Sequence, residues 1–147
     1  MAEDLEVDVL VNSPLWTGHQ EVLVSALAAA AAEEKKAGVV SLMLGDDATM
    51  TRLNREWRGK DGPTNVLSFP APRVDPAFLG DIALAAETIA AEAEFQGKRF
   101  EHHAAHLVVH GFLHLLGYDH ENPADAEAME ARERAILVSL GIDDPYA

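Results

Sequence analysis

Six of the seven histidines lie between residues 102 and 120, and such crowding of imidazoles is typical of a metal site. His110 and His114 are four residues apart, so on a helix both side chains lie on one face and reach a single ion. The next histidine in this row is too far along the helix axis, because residues eight apart are separated by about 12 Å. Gly117 allows the chain to reverse, and we therefore predict His120 as the third ligand.

Three neutral histidines leave the fourth position of a tetrahedral ion open, which is typical of a catalytic zinc site rather than a structural one. Imidazole also suits nickel, copper and iron, and we predict one zinc ion. The spacing H-x-x-x-H-x-x-G-x-x-H coincides with that of metzincin proteases, which carry a glutamate general base directly after the first histidine. Gly111 occupies that position here, so the pattern argues against peptidase chemistry without excluding a metal-dependent peptide or amide hydrolase.

The composition limits the other classes of function. The chain has 147 residues and a formal net charge of −14. It has no cysteine, which excludes disulfide scaffolds, thiolate zinc fingers and cysteine nucleophiles. No apolar run is long enough to span a membrane, and residues 1–4 lack the basic region of a signal peptide, so we expect one soluble, cytoplasmic domain over residues 1–147. The negative charge disfavours non-specific nucleic-acid binding but permits a local basic site.

Hydrophobic periodicity, caps and breakers predict four strands and five helices. The predicted strands cover residues 5–11, 39–44, 66–69 and 81–85. The predicted helices cover residues 21–37, 48–57, 87–96, 98–117 and 123–140, and the fourth carries most of the histidines. We expect a capping box at Thr17 to Gln20, an Asn122 cap before Pro123, and an extended loop marked by Pro70, Pro72 and Pro76.

Three blocks of the sequence resemble the motifs of the YbeY family of bacterial endoribonucleases, also called rRNA maturation factors. Residues 106–120 read HLVVHGFLHLLGYDH, residues 53–70 read LNREWRGKDGPTNVLSFP, and residues 80–82 read GDI. Trp57 stands where the family often has tyrosine, and Asn65 where it often has aspartate. The blocks span residues 53–120, and the flanking elements fit the full length of the family.

The resemblance implies an α+β fold with a mixed, mainly parallel four-stranded sheet, about five helices and the metal site at the end of a central helix. It implies one zinc ion bound by His110, His114 and His120, and an active-site role for Arg58. The implied activity is that of a zinc-dependent, single-strand-specific endoribonuclease that processes ribosomal RNA. The family is associated with 16S rRNA 3′-end maturation and ribosome quality control, so ribosomal RNA and the small ribosomal subunit with its proteins are the expected partners.

The residues around these motifs suggest further roles. Arg58 carries a permanent charge and fixed donors suited to gripping a phosphodiester. We expect Asp119 to orient a ligand imidazole, and His106 to be a hydrogen-bonded helix residue or a support for the metal site. Asn65 and Ser68 are candidates to line the cleft. The general base is left unassigned.

The sequence also allows two alternative functions. We expect His19, His102 and His103 to be surface residues. The first alternative is a non-catalytic ribosome-assembly factor in which zinc only fastens the helix to the following loop. The second is the metzincin-like hydrolase already described.

Overall fold

A computed structural model describes residues 5–71 and 77–146, in which four strands and five α-helices fold together. The strands are β1 (Leu5–Val11), β2 (Gly38–Gly45), β3 (Val66–Pro70) and β4 (Phe78–Ala85). The helices are α1 (Gln20–Glu34), α2 (Asp47–Arg58), α3 (Ala86–Gln96), α4 (Phe100–Leu115) and α5 (Pro123–Ser139), with a short 3-10 helix at Pro14–Trp16. The predicted α+β class and element order are confirmed.

The four strands form one sheet in the order β1-β2-β4-β3. β1 is parallel to β2 and β2 is parallel to β4, whereas β3 is antiparallel to β4 and lies at the edge. Helical crossovers connect the parallel strands, as such pairs require. Pro72 and Pro76 of the predicted loop between β3 and β4 lie outside the described residues.

The two faces of the sheet are covered by different helices. In β4, Ile82 belongs to the larger core cluster, to which α4 contributes Phe112. The next residue, Ala83, belongs to a second cluster, which α2 enters with Met50. Because successive side chains of a strand point to opposite faces, α4 and α2 lie on opposite sides of the sheet.

α4 packs closely on the β3–β4 pair along its last two turns. A Cβ atom added at Gly111 would lie 3.2 Å from Cγ2 of Ile82 and 3.3 Å from Cγ2 of Val66. At the end of the helix, the Leu115 side chain reaches Gly80 near the beginning of β4. The C-terminal end of α4 therefore lies at the Gly80 end of the sheet.

Of the two predicted helix caps, the one at Asn122 is confirmed and the one at Thr17 is not. Asp46 caps α2 through Thr49, and Asn122 caps α5 with Pro123 in its first turn. The predicted capping box at Thr17 is wrong, because the cap of α1 is His19, whose side chain bonds Glu101 at 2.8 Å instead of the helix backbone. No helix within the described ranges is long and apolar enough to cross a bilayer.

Candidate metal centre

The three histidines that the sequence predicts as ligands lie together at the C-terminal end of α4. His110 and His114 lie on successive turns of the helix, and the chain reverses after it at Gly117, whose φ of 101° suits only glycine well. His120 thereby returns toward the pair. One nitrogen from each imidazole lies within 4.8 Å of the other two, so the three can hold one metal ion.

Hydrogen bonds on the far side of two rings fix which nitrogen faces the centre. His110 Nδ1 donates to Oε2 of Glu133 at 3.0 Å, and His114 Nδ1 donates to the carbonyl oxygen of Tyr118 at 2.9 Å. Both acceptors require the proton on Nδ1. The Nε2 atoms of both rings therefore carry lone pairs directed toward the centre.

The spacing of these two Nε2 atoms fits a shared ion better than a hydrogen bond. They lie 3.1 Å apart, but neither carries a proton to donate when Nδ1 is protonated. Zinc–nitrogen bonds of about 2.0–2.1 Å in a tetrahedral site place two ligand nitrogens about 3.3 Å apart. The donor set, all imidazole in the absence of cysteine, suits zinc and other borderline divalent metals.

Glu133 of α5 lies buried behind His110 and was not predicted from the sequence. Its side chain is 0% exposed, and its carboxylate accepts hydrogen bonds from His110, from His106 Nε2 at 2.6 Å and from the Tyr146 hydroxyl at 2.6 Å. Burial acts to raise the pKa of Glu133, but the bonds from its three donors outweigh burial and lower the pKa to about 2. The group is therefore a carboxylate at neutral pH.

A second network, of half-buried side chains, holds the turn that follows α4. The Tyr118 hydroxyl donates to Glu34 at 2.7 Å, and Arg132 of α5 pairs with the same carboxylate at 2.6 Å. These bonds hold Tyr118, whose backbone carbonyl oxygen accepts from His114 Nδ1. Hydrogen bonding to Glu34 is the main reason that the pKa of Tyr118 is raised.

Several of the secondary predictions are corrected by the positions of the side chains. Asp119 Oδ1 accepts from the backbone N–H of His120 at 2.7 Å rather than from an imidazole. Glu133 and the Tyr118 carbonyl, not Asp119, hold the imidazoles of His110 and His114. His103 is only 4% exposed and bonds Glu92 at 2.8 Å, so its assignment to the surface is wrong.

The predicted cleft residues Asn65 and Ser68 are separated in their roles. Asn65 Nδ2 donates to the same Glu92 carboxylate at 3.0 Å, which ties the start of β3 to α3. Ser68 pairs with Ile82 in the β3–β4 ladder and is half-buried. Neither side chain bonds a ligand histidine among the described residues.

Arg58 lies at the last position of α2 and is exposed. Its neighbour Trp57 packs on Phe69 with ring centroids 6.0 Å apart, and Phe69 is the partner of Asp81 in the β3–β4 ladder. Arg58 therefore lies near the Gly80 end of this strand pair, as does the triad of His110, His114 and His120. The two lie on opposite faces of the sheet. Arg58 forms no hydrogen bond or ion pair with another described residue.

Gly111 cannot readily be replaced by the glutamate of the metzincin pattern. Its α-carbon faces the sheet, and the close contacts with Ile82 and Val66 leave no room for a longer side chain. The geometry therefore gives no support to a peptidase-like base at this position.

The chain is similar to known proteins over almost its whole length. A family model described as Endoribonuclease YbeY matches residues 11–141. The protein named Endoribonuclease YbeY from Azorhizobium caulinodans is 51% identical, covering 97% of each chain, and that from Rhodopseudomonas palustris strain BisA53 is 50% identical, covering 95% of this chain and 89% of the relative. The solution structure of TM1509 from Thermotoga maritima superimposes with a TM-score of 0.64 at 25% identity, covering 92% of this chain and 91% of that one.

Proposed function

The chain belongs to the YbeY family of endoribonucleases, and from this premise we propose that it is a zinc-dependent endoribonuclease that cuts single-stranded RNA during ribosomal RNA processing. The observation that supports the proposal most strongly is the pair of imidazoles whose Nε2 lone pairs face each other at 3.1 Å, with His120 beside them. This set of donors leaves one coordination position for a substrate or water.

The zinc ion and Arg58 have separate tasks in this proposal. His110, His114 and His120 would hold the ion, which would supply Lewis-acid polarisation of a phosphoryl oxygen. Arg58 binds the non-bridging oxygens of the scissile phosphodiester and stabilises the charge that develops on them. Its exposed position at the end of α2, near the Gly80 end of the β3–β4 pair, supports this role, because α4 carries the three histidines at the same end of the sheet.

The wider setting extends the same proposal. The substrate is the 3′ end of the small-subunit (16S) ribosomal RNA precursor, the partners are the small ribosomal subunit and its associated proteins, and the activity serves ribosome biogenesis and quality control in the cytoplasm. The whole chain, residues 1–147, acts as one metal-dependent endoribonuclease domain. Similarity to the YbeY relatives over nearly the whole chain supports these assignments.

The direct test is cleavage of a small-subunit ribosomal RNA 3′ precursor by the zinc-loaded protein. We expect cutting that is abolished by His114→Ala and lowered about 100-fold by Arg58→Ala, since loss of one stabilising donor costs about 10²–10³ in rate. His102→Ala removes a histidine of the same helix outside the triad, and Arg99→Ala removes an exposed arginine at the far end of α4. Both controls should cut like the wild type.

Circular dichroism and zinc content of each variant separate the competing functions. If the wild type binds zinc but cuts no better than folded His114→Ala, the endoribonuclease proposal is refuted. If His114→Ala also loses its fold, the result favours the assembly factor with a structural zinc.

A further inference from the structure

We propose that Glu133 is a positioning residue of the metal centre, whose buried carboxylate holds His110 with Nε2 directed at the ion and supplies the negative charge that three neutral imidazoles lack. This inference rests on the proposed zinc site. It adds a residue from α5, outside the sequence motifs that carry the histidines and the arginine.

The geometry around Glu133 separates its two oxygens by function. Oε2 accepts only from His110 Nδ1 among the described residues, at 3.0 Å, on the side of the ring opposite the centre. Oε1 accepts from His106 and from Tyr146, both at 2.6 Å. The two bonds to Oε1 fix the carboxylate in one orientation and leave Oε2 to orient His110.

The charge of Glu133 has no lysine or arginine partner in the described part of the chain. Its ion pairs there are with His106 and His110, which are charged only when protonated. Burial of a carboxylate without a compensating cation is costly. A divalent ion bound through His110 supplies that compensation, because the imidazole then lies between the carboxylate and the metal.

The C-terminal segment contributes to the same arrangement through Tyr146. Arg134 of α5 bonds Asp144 at 3.1 Å, and Lys98 donates to the carbonyl oxygen of Pro145 at 3.4 Å. These contacts fasten the segment beside α4, where the Tyr146 ring also packs edge-on against His106. The tyrosine hydroxyl thus reaches Glu133 from a fixed position.

A second carboxylate that holds a histidine of α4 provides a matched comparison. Glu92 accepts from His103 Nε2 at 2.8 Å, and that histidine is outside the triad. Loss of the Glu92 carboxylate affects this bond and the one from Asn65 Nδ2, and leaves the three candidate ligands in place. It therefore reports the purely structural effect of such a loss.

The experiment measures the zinc affinity of purified wild-type, Glu133→Gln and Glu92→Gln proteins by competition with a chromogenic chelator, with thermal unfolding of each metal-free protein in parallel. Glutamine keeps the shape of the side chain but removes the charge. We expect Glu133→Gln to bind zinc about 10–100-fold more weakly, as is usual when a group that orients a metal ligand is lost. Glu92→Gln should lower the unfolding temperature and leave the zinc affinity at the wild-type value.

The outcomes separate this inference from the function on which it rests. Equal zinc affinity of the wild type and Glu133→Gln overturns the inference and leaves the zinc site intact. A wild type that does not bind zinc overturns both. Wild-type zinc binding without RNA cleavage refutes the endoribonuclease function, whereas the weakened binding of Glu133→Gln still supports the positioning role.

Imidazole nitrogen NMR of the metal-free wild type gives a second test that needs no variant. We expect His110 with its proton on Nδ1 and its Nε2 resonance shifting strongly when zinc is added. A His110 that carries the proton on Nε2 in the metal-free protein would contradict the proposed orientation.

Discussion

Individual histidines of α4 differ in which ring nitrogen meets a protein acceptor. His110 and His114 are held through Nδ1, which leaves Nε2 for the centre. His103 and His106 are held through Nε2, and their buried Nδ1 atoms have no hydrogen-bond partner among the described residues. The position of one carboxylate or carbonyl therefore decides whether a histidine directs Nε2 at the candidate metal centre or belongs to the surrounding structure.

The burial of His103 predicts how the free energy of unfolding depends on pH. Burial lowers the pKa of His103, and this effect outweighs the opposing hydrogen bond to Glu92. The unfolded chain therefore takes up a proton near the ordinary histidine pKa of about 6.5 before the folded protein does, so His103 destabilises the fold as the pH drops below that value. We expect the free energy of unfolding of the metal-free wild type to fall more steeply between about pH 7.5 and 5.5 than that of His103→Gln.

The measurement is urea unfolding across this pH range in the presence of a chelator, which removes the contribution of bound metal. His102→Gln is the matched control, because it removes the adjacent, half-exposed histidine. It should keep the wild-type pH dependence. If His103→Gln shows the same slope as the wild type, His103 has an ordinary pKa in the folded protein.

At the scale of elements, the start of α2 depends on the side chain of Asp46. Its Oδ1 accepts from the backbone N–H of Thr49 at 2.8 Å, which satisfies one free donor of the first turn. We expect Asp46→Ala to lower the free energy of unfolding by about 1 kcal/mol, as is typical for loss of such a cap. Chemical denaturation at neutral pH measures the loss.

The variant Asp46→Asn tests whether this hydrogen bond is the source of the stability. Hydrogen bonds from Thr49 lower the pKa of Asp46, so its contribution is present above the unfolded value of about 3.9 and is lost as the pH falls through the folded value. An asparagine at this position would cap the helix without ionising, so the variant should stay close to the wild type at neutral pH. A loss in Asp46→Asn as large as that in Asp46→Ala would show that the hydrogen bond is not the source of the stability.

Gly80 joins three elements at the end of the sheet nearest the metal centre. Its φ is 143°, and a Cβ atom there would collide with the carbonyl oxygen of Phe69 and lie 2.8 Å from Cδ2 of Leu115. We expect Gly80→Ala to lower the free energy of unfolding by about 1–3 kcal/mol, through overpacking and a strained backbone. Gly97→Ala also has a positive φ of 68° but open space around it, so it separates strain alone from collision. Chemical denaturation compares the two variants, and equal losses would contradict the role of the collision.

The parts of the fold that were predictable from sequence are those governed by near neighbours. The caps at Asp46 and Asn122 act within three residues, and the two helical histidines are placed by their four-residue spacing. Glu133 was missed because its partner His110 is 23 residues away and on another helix. The signal was nonetheless present, since a glutamate on the row of Met129 and Ile136 occupies a buried position of α5.

The burial of His103 also could not be predicted from near neighbours in the sequence. Two adjacent histidines near the start of a helix give no local indication of which one is buried, and the packing of α3 against α4 decides it. The role of Arg58 likewise depends on the sheet, because α2 and α4 are on opposite faces and meet the same end of β3–β4 only through the tertiary fold.

For the whole molecule, the net charge of −14 conflicts with RNA binding unless positive charge is gathered locally. Four exposed cations lie on or just after α2, on the helix that ends at the proposed phosphate-binding residue: Arg52, Arg55, Arg58 and Lys60. Arg55 is partly neutralised by Asp61 at 3.3 Å, in an exposed pair that contributes little. Arg73 lies outside the described residues.

This basic surface predicts how RNA affinity responds to salt. Each cation that neutralises a phosphate of a single strand contributes about 0.7 to the slope of log affinity against log salt concentration. We expect the double variant Arg52→Ala/Lys60→Ala, which keeps Arg58, to weaken binding of a single-stranded RNA and to reduce that slope by about 0.7 for each residue removed. Fluorescence anisotropy with the metal-free protein measures binding without cleavage. Lys36→Ala removes an exposed cation outside α2 and should leave the slope unchanged. If Lys36→Ala changes the slope as much as the double variant does, RNA senses the overall charge of the protein, and the binding surface is not on α2.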